Sequence, residues 1–372
     1  MQSIALFFYL CQKESNLQAK SGMSKKVTIH DLARMLNLTA STVSRALNDH
    51  PQISESTKAL VRKKAEEVGY KPNLIATSLR TGKGRTLGMI VPRINRDFIS
   101  NVIAGAEREC RRKGYRLVIC QSEENFEKEC EAIGTLIQSR VSGIMISISA
   151  QTNTGSHLEA AIKEGIPVVQ FDRIRRELTT PCVLNDNYGA AYEATKHLLD
   201  QGCKYLIHLG GPQYINIYEE RKRGFLEAIG QYGPIRYEVI EPAITREKGY
   251  EAAKSLFESP EKPDGILAAS DYSALGALLA AKEAGISIPH QLSIVGFANE
   301  PFTALISPST SSIDQRADEM GENAARLLIE SIEHPHRTSH PQKIVLMPQL
   351  LIRESSTRQN VPTDKTASPD PS

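Results

Sequence analysis

The chain has 372 residues, 40% of them apolar and 24% charged, with 45 Lys+Arg against 43 Asp+Glu for a net charge of +2. These values exclude a bulk-disordered chain, a collagen and a coiled coil, and the length calls for two or three domains with a sizeable core. A near-neutral total would argue against a nucleic-acid binder only if the charge were spread evenly. It is not: residues 23–86 hold 12 Lys+Arg and 5 Asp+Glu, a net of +7, residues 1–22 carry +1, and the remainder carries −6. A small basic module precedes a large acidic one, the asymmetry expected of a polyanion-binding head on a body with a different task.

In chain order, the longest apolar stretch near the start is Ile4 to Cys11. It is far short of the roughly 20 residues a membrane span needs, and no basic residue precedes it as in a secretory signal. Translation is expected to begin at Met23, with residues 1–22 a disordered extension. Cys11, Cys110, Cys120, Cys130, Cys182 and Cys203 fit neither a C-x-x-C nor a zinc spacing, and read as reduced thiols of a cytoplasmic protein. His334, His336 and His340 lie beside Pro335 and Pro341 as a surface loop, so neither metal nor cofactor is expected.

Thr28-Ile29-His30-Asp31 has the form of a capping box, and Ile29, Leu32, Ala33 and Leu36 follow as one apolar stripe. Asn37-Leu38 breaks the run and Thr39 caps a second helix. There Val43, Ala46 and Leu47 face inward while Ser41, Arg45 and Asn48 cluster on the opposite side. A third helix starts near Ser54 with Val61, Ala65 and Val68 as its inner stripe. Two short helices joined by a tight turn and braced by a third describe a helix-turn-helix unit. The competing reading is a small helical bundle with a solvated polar face. The net +7, and an arginine on the second helix with no acid beside it, favour insertion into a DNA major groove.

Val27 to Leu36, Thr42 to Asn48, Gly69-Tyr70-Lys71-Pro72-Asn73 and Ala76 to Arg80 together resemble the lactose-repressor (LacI/GalR) family of bacterial regulators. The resemblance runs from about residue 25 to residue 354. It implies base-edge contacts from Ala40, Ser41 and Arg45, with Arg45 bonding guanine in bidentate fashion and Ala40 offering only apolar contact. Thr28, Thr39, Thr42, Ser44 and Asn48 suit phosphate contacts, which set register without carrying sequence information. Residues 73–81 resemble the hinge helix of the family, which orders on operator DNA and drives a leucine, here Leu79, into the minor groove. The alternative is that Leu79 packs on the body. Gly82 and Gly84 follow as a flexible joint.

From Leu87 onward, β-branched runs alternate with amphipathic helices. Strands are expected at Leu87–Val91, Arg116–Cys120, Gly143–Ser147, Pro167–Phe171, Tyr205–Leu209, Gly265–Ala269 and Leu292–Val295. This rhythm calls for parallel α/β sheets, and so many strands suggest two lobes with a ligand cleft between them. Phe171-Asp172-Arg173, Asn185 to Gly189, Arg221 to Phe225, Ala269 to Gly276, Gly296-Phe297 and Ser307 to Ile313 extend the family resemblance. The implied fold is an all-α helix-turn-helix domain over residues 23–72 and a hinge helix and linker over 73–86. A two-lobed α/β periplasmic-binding-protein-like effector and dimerisation domain then spans 87–354, with a disordered tail over 355–372.

The resemblance places Asp172, Arg221 and Asp271 at effector-contacting positions and Phe98 as an aromatic cover, a set suited to a polyhydroxylated ligand. Each has a plainer alternative: Asp172 or Arg221 in a buried ion pair, Asp271 as the cap of the helix it precedes. Many relatives carry an acid two residues after the glycine of Gly296-Phe297, where this chain has Ala298, so the pocket is altered; Asn299 is a further polar candidate. The expected partners are a palindromic double-stranded operator, a small effector, expected to be a carbohydrate, and a second copy of the chain, with no membrane. A sugar-transport protein would lack the basic head. An α/β enzyme would be expected to show a G-x-G-x-x-G, P-loop or G-x-S-x-G motif after a strand, and none is present.

Overall fold

The computed structural model describes residues 27–47, 49–70, 84–335 and 341–358, in two compact units divided between Gly84 and Arg85. Asn48, Leu79 and the hinge segment 73–81, residues 1–22 and the tail beyond 358 lie outside the described residues.

The smaller unit is built from local signals. Thr28 caps the Ile29–Leu36 helix, its side chain accepting from the Asp31 N–H while Asp31 accepts from the Thr28 N–H, a complete capping box. Asn37 ends that helix in the left-handed region at φ 52°. The Ala40–Leu47 helix starts on Thr39, whose hydroxyl accepts from the Thr42 N–H at 3.2 Å, and the Glu55–Glu67 helix starts on the Ser54 cap. Leu32, Ala33, Val43, Ala46, Val61 and Ala65 form the buried centre, with Ile29, Leu36, Leu47 and Val68 packed half-buried around it.

The larger unit holds two six-stranded sheets. The first comprises β1 (Thr86–Val91), β2 (Arg116–Gln121), β3 (Ile144–Ile146), β4 (Val168–Phe171), β5 (Cys182–Asn185) and β11 (Lys343–Leu346), all parallel, in the order β11-β5-β4-β3-β1-β2. The second comprises β6 (Tyr205–Leu209), β7 (Arg236–Ile240), β8 (Gly265–Ala268), β9 (Ser293–Phe297), β10 (Ser311–Asp314) and β12 (Gln349–Leu351), in the order β12-β10-β9-β8-β6-β7, with only β12 antiparallel. Helices cover both faces of each sheet. Central strands such as β1 and β6 are therefore buried on both sides and read as continuous apolar runs, whereas the edge strands β2 and β7 are largely exposed.

The chain passes between the lobes three times among the described residues, after Asn185, after Asp314 and after Leu346. The second passage returns the Ala317–Glu333 helix to the first lobe, where Met320, Ala324 and Leu328 join the core of Leu87, Met89, Val102 and Phe171. That helix lies close along Asp97–Arg112: a Cβ at Gly321 would sit 1.9 Å from the Val102 carbonyl oxygen and one at Gly105 2.0 Å from that of Asp318, so only glycine fits at either place. No described helix is long and apolar enough to cross a membrane.

One core residue makes stability depend on pH. His208 on β6 is wholly buried, its ring stacked on Phe225 at 5.2 Å between centroids and its Nδ1 3.0 Å from the Leu267 carbonyl oxygen. Burial is the main cause that pushes its pKa down to about 4. The unfolded chain takes up that proton near pH ~6.5 and the folded chain does not. Stability is therefore lost as pH falls from about 6.5 to about 4, by on the order of 3 kcal/mol from this group. His208→Asn, which cannot titrate, should give a flatter dependence of Tm on pH across that window. An unchanged slope would assign the acid sensitivity elsewhere.

Candidate functional site

The second helix of the small unit presents Ser41 and Arg45 on its exposed face, beside the exposed Thr39. No acid lies in the first turn of that helix, and among the described residues Arg45 forms no ion pair. Thr39, Ser41 and Thr42 hold their hydroxyls together, Oγ1 of Thr39 lying 2.8 Å from Ser41 Oγ and 2.9 Å from Thr42 Oγ1. Hydroxyls at a helix amino terminus with no opposing acid form a site for phosphate, and an unpaired arginine one turn on can reach a base edge. Ala40 is half-buried at the start of the same helix, and Thr28 spends its hydroxyl on Asp31 in the capping box. Ser44 is only 8% exposed because it lies between Val43 and Ala46, which pack inward, so it has little surface for a phosphate.

In the larger unit a cavity of about 390 Å³ opens between the lobes, at the carboxyl ends of both sheets. Phe98 lines it from the first turn of the Asp97–Arg112 helix, Asp172 and Arg173 from the end of β4, and Glu124 from the loop after β2. The second lobe contributes Tyr218 and Arg221 from the Asn216–Tyr232 helix, Tyr272 from the start of the Asp271–Glu283 helix, Phe297 from the end of β9, and Glu300. Phe98, Asp172 and Arg221 are thus brought together from positions far apart in sequence. Contacts across the cleft hold the lobes in register. Asn216 donates to the Asp172 carbonyl oxygen at 3.0 Å and accepts from the Ile174 N–H at 3.0 Å, while Arg176 pairs with Glu219 and Glu220, each at 2.8 Å. Arg96 lies over the Tyr272 ring at 4.1 Å.

Arg221 is 4% exposed; its Nε donates to Asn187 Oδ1 at 2.9 Å, its Nη1 to the Ala269 carbonyl oxygen at 2.7 Å, and its guanidinium lies 3.7 Å from the Phe297 ring centroid. Burial lowers its pKa to about 10, still fully charged at neutral pH. Asp172 is 5% exposed, sits at φ +57° and leaves Oδ1 without a partner, and burial raises its pKa. A buried carboxylate oxygen with no donor, on a strained backbone, is a mark of a ligand site. No ion pair joins Asp172 to Arg221. Instead Arg173 takes Glu124, its Nη1 donating to both carboxylate oxygens at 2.8 and 3.1 Å. Burial opposes the Arg173 charge, but Tyr218, Glu124 and Asp172 outweigh it and hold its pKa above the usual value.

Asp271 and Asn299 lie behind the cavity wall rather than in it. The Asp271 carboxylate accepts from Ser312 Oγ at 2.7 Å and from the Glu300 N–H at 2.8 Å, and burial raises its pKa to about 6. Ser270, not Asp271, caps the following helix, accepting from the Tyr272 N–H at 3.2 Å. Asn299 accepts from Arg353 at 2.7 Å and donates to Asp314 at 3.2 Å, a bracing contact where the chain passes between the lobes. Arg173, Tyr218, Glu124 and Glu300 were missed from sequence. Arg173 could have been read from its place beside Asp172. The others have no signal of their own, because only the folded lobes aim them inward.

Residues 28–73 match the profile of bacterial regulatory proteins of the lacI family, and residues 195–356 that of the periplasmic binding protein-like domain. Catabolite control protein A of Priestia megaterium is 30% identical over 335 residues, 89% of this chain and 99% of that protein. A Lac repressor dimer bound to operator and the anti-inducer ONPF superposes with a TM-score of 0.79 at 21% identity, over 90% of this chain and all of that one. A LacI-family regulator from Enterococcus faecium with bound ribose superposes with a TM-score of 0.64 at 26% identity, over 73% and 98% of the two chains. A helix-turn-helix head on a two-lobed binding-protein body defines a ligand-responsive, DNA-binding transcriptional regulator. The chain belongs to the lacI family of bacterial regulatory proteins.

Proposed function

We propose that the chain acts in the cytoplasm, without catalysis, as a homodimeric repressor on a palindromic operator, and that a carbohydrate in the interlobe cleft changes its grip on DNA. Ala40, Ser41 and Arg45 meet base edges in the major groove, joined by Thr28, Thr39, Thr42 and Asn48 at the backbone and by Leu79 at the minor groove. Phe98, Asp172 and Arg221 contact the effector. Asp271 and Asn299 serve it at one remove, Asp271 by fixing the Glu300 backbone and Asn299 by holding Arg353 and Asp314. The observation that carries the reading is the cavity between two lobes, walled by Phe98, Arg221 and the half-unsatisfied Asp172. The E. faecium relative with bound ribose supports a sugar as the class of ligand.

The physical logic is coupling. A ligand that binds one interlobe arrangement better than another shifts their populations, and DNA affinity changes by the same free energy, typically about 1–3 kcal/mol. The test is to select operator DNA from a random pool with the full-length protein, then titrate it by fluorescence anisotropy with and without sugars and their derivatives. Roughly ten- to hundred-fold changes in Kd are expected. No enrichment of any sequence, or a Kd indifferent to every compound, would refute the proposal.

A further inference from the structure

The cleft is richer in positive charge than its surroundings. The body carries −6 overall, yet Arg93, Arg96, Arg173 and Arg221 line the cavity against Glu124, Asp172 and Glu300. One of those three acids is already engaged, Glu124 by Arg173. Asp172 keeps an oxygen without a partner. On the donor side more remains. Arg93 is exposed at the cavity and makes no ion pair among the described residues, and Arg221 uses Nε and Nη1 on protein, keeping Nη2. The first turn of the Asn216–Tyr232 helix, whose Ile215 cap supplies no side-chain acceptor, lines the cavity through Ile217 and Tyr218 and adds no negative charge there. Ala298 lines the same wall and adds neither an acceptor side chain nor a negative charge. A neutral sugar hydroxyl offers one donor and two acceptor lone pairs, so it too can take the free donors; it is the net positive charge of the wall that fits a ligand bearing an acid group.

We infer that the effector is an anionic carbohydrate, a sugar ring bearing a carboxylate or a phosphate, whose hydroxyls meet Asp172 and whose acid group meets the guanidinium of Arg93. This rests on the cleft being the carbohydrate site and names the chemistry it selects. An arginine bonds two oxygens of an acid group at once, and at the exposed Arg93 that attraction is open to screening by salt. Arg93 gives up no ion pair in exchange, since the acid in its neighbourhood, Glu123, is paired with Lys128 at 2.6 Å.

The experiment is isothermal titration of the full-length protein with matched sets: D-glucose, D-glucuronate and D-glucose 6-phosphate, and D-galactose, D-galacturonate and D-galactose 1-phosphate. An acidic member is expected to bind at least about ten-fold tighter than its neutral parent, a preference that shrinks as NaCl rises from about 50 to about 500 mM. The carboxylate and phosphate arms identify which acid is read. Arg93→Gln, which breaks no ion pair, should leave Tm unchanged and erase roughly that ten-fold preference. Equal or tighter binding of the neutral parents overturns the inference and leaves the carbohydrate cleft intact. Binding of no compound in either set overturns both. An acid preference that survives in Arg93→Gln removes Arg93 from the role assigned to it.

Discussion

Arg221→Met is expected to abolish the response of DNA binding to effector while leaving DNA affinity without effector unchanged. The side chain lies at the back of the cleft, 4% exposed, and joins the Asn216–Tyr232 helix to Asn187 and Ala269 while its guanidinium covers Phe297. Methionine keeps most of the volume and a favourable contact with the ring, so the packing survives. What it removes is every donor. Two buried acceptors are stranded, each at about 1–3 kcal/mol, and Asp172 loses a neighbouring positive charge. A ligand that relied on the same guanidinium should bind on the order of 100-fold more weakly. Calorimetry reads the ligand side, anisotropy the DNA side. Normal ligand binding by Arg221→Met would reduce Arg221 to a structural tie between helix and strand. If the methionine variant fails to fold, Arg221→Lys keeps the charge but not the fork and should still lose most of the affinity.

Arg45→Ala should weaken binding to the selected operator by roughly ten- to hundred-fold, about 1–3 kcal/mol, with random DNA losing only one charge contact. The reason is local. Arg45 stands on the exposed face of a helix whose other side, Val43 and Ala46, is wholly committed to the core, and no acid holds it back. Replacing it costs no packing, so the effect belongs to DNA. Arg45→Lys separates the two possible roles: a lysine restores a phosphate contact but not a bidentate bond to guanine. Full rescue by lysine, or equal loss on every sequence, would move Arg45 from base reading to backbone anchoring.

How much was legible in the sequence follows from the range of the interactions. In the head, caps and stripes lie within three or four residues of what they organise, so Thr28, Asn37, Thr39 and Ser54 marked the helix boundaries that the structure has. In the body, strands buried on both faces, such as β1, β4, β6 and β8, stood out as apolar runs. The strands that escaped were β5, β7, β10, β11 and β12. β7 is an exposed edge and reads as polar. β10 opens on Ser311 and Ser312, both fully buried, and no hydropathy pattern finds it. Its burial is tolerable because Ser355 accepts from the Ser311 N–H and Asp271 accepts from Ser312 Oγ, partners about forty residues away.

The same distinction governs the site. Motif by motif, the sequence marked out a basic helix-turn-helix head joined to an acidic α/β body, and its family resemblance pointed to Phe98, Asp172 and Arg221, which the fold brings to one cavity. A net charge of +2 concealed that division only while it was summed over the chain. Tertiary structure alone decided that Asp271 and Asn299 stand behind the wall, that Arg173 and Glu124 neutralise each other beside Asp172, and that the Ala317–Glu333 helix returns to the first lobe. Each of those facts depends on where one lobe meets the other. Capping and periodicity encode the energy of a residue with its near neighbours; the balance of donors and acceptors in a cleft is set by residues that only the fold makes adjacent.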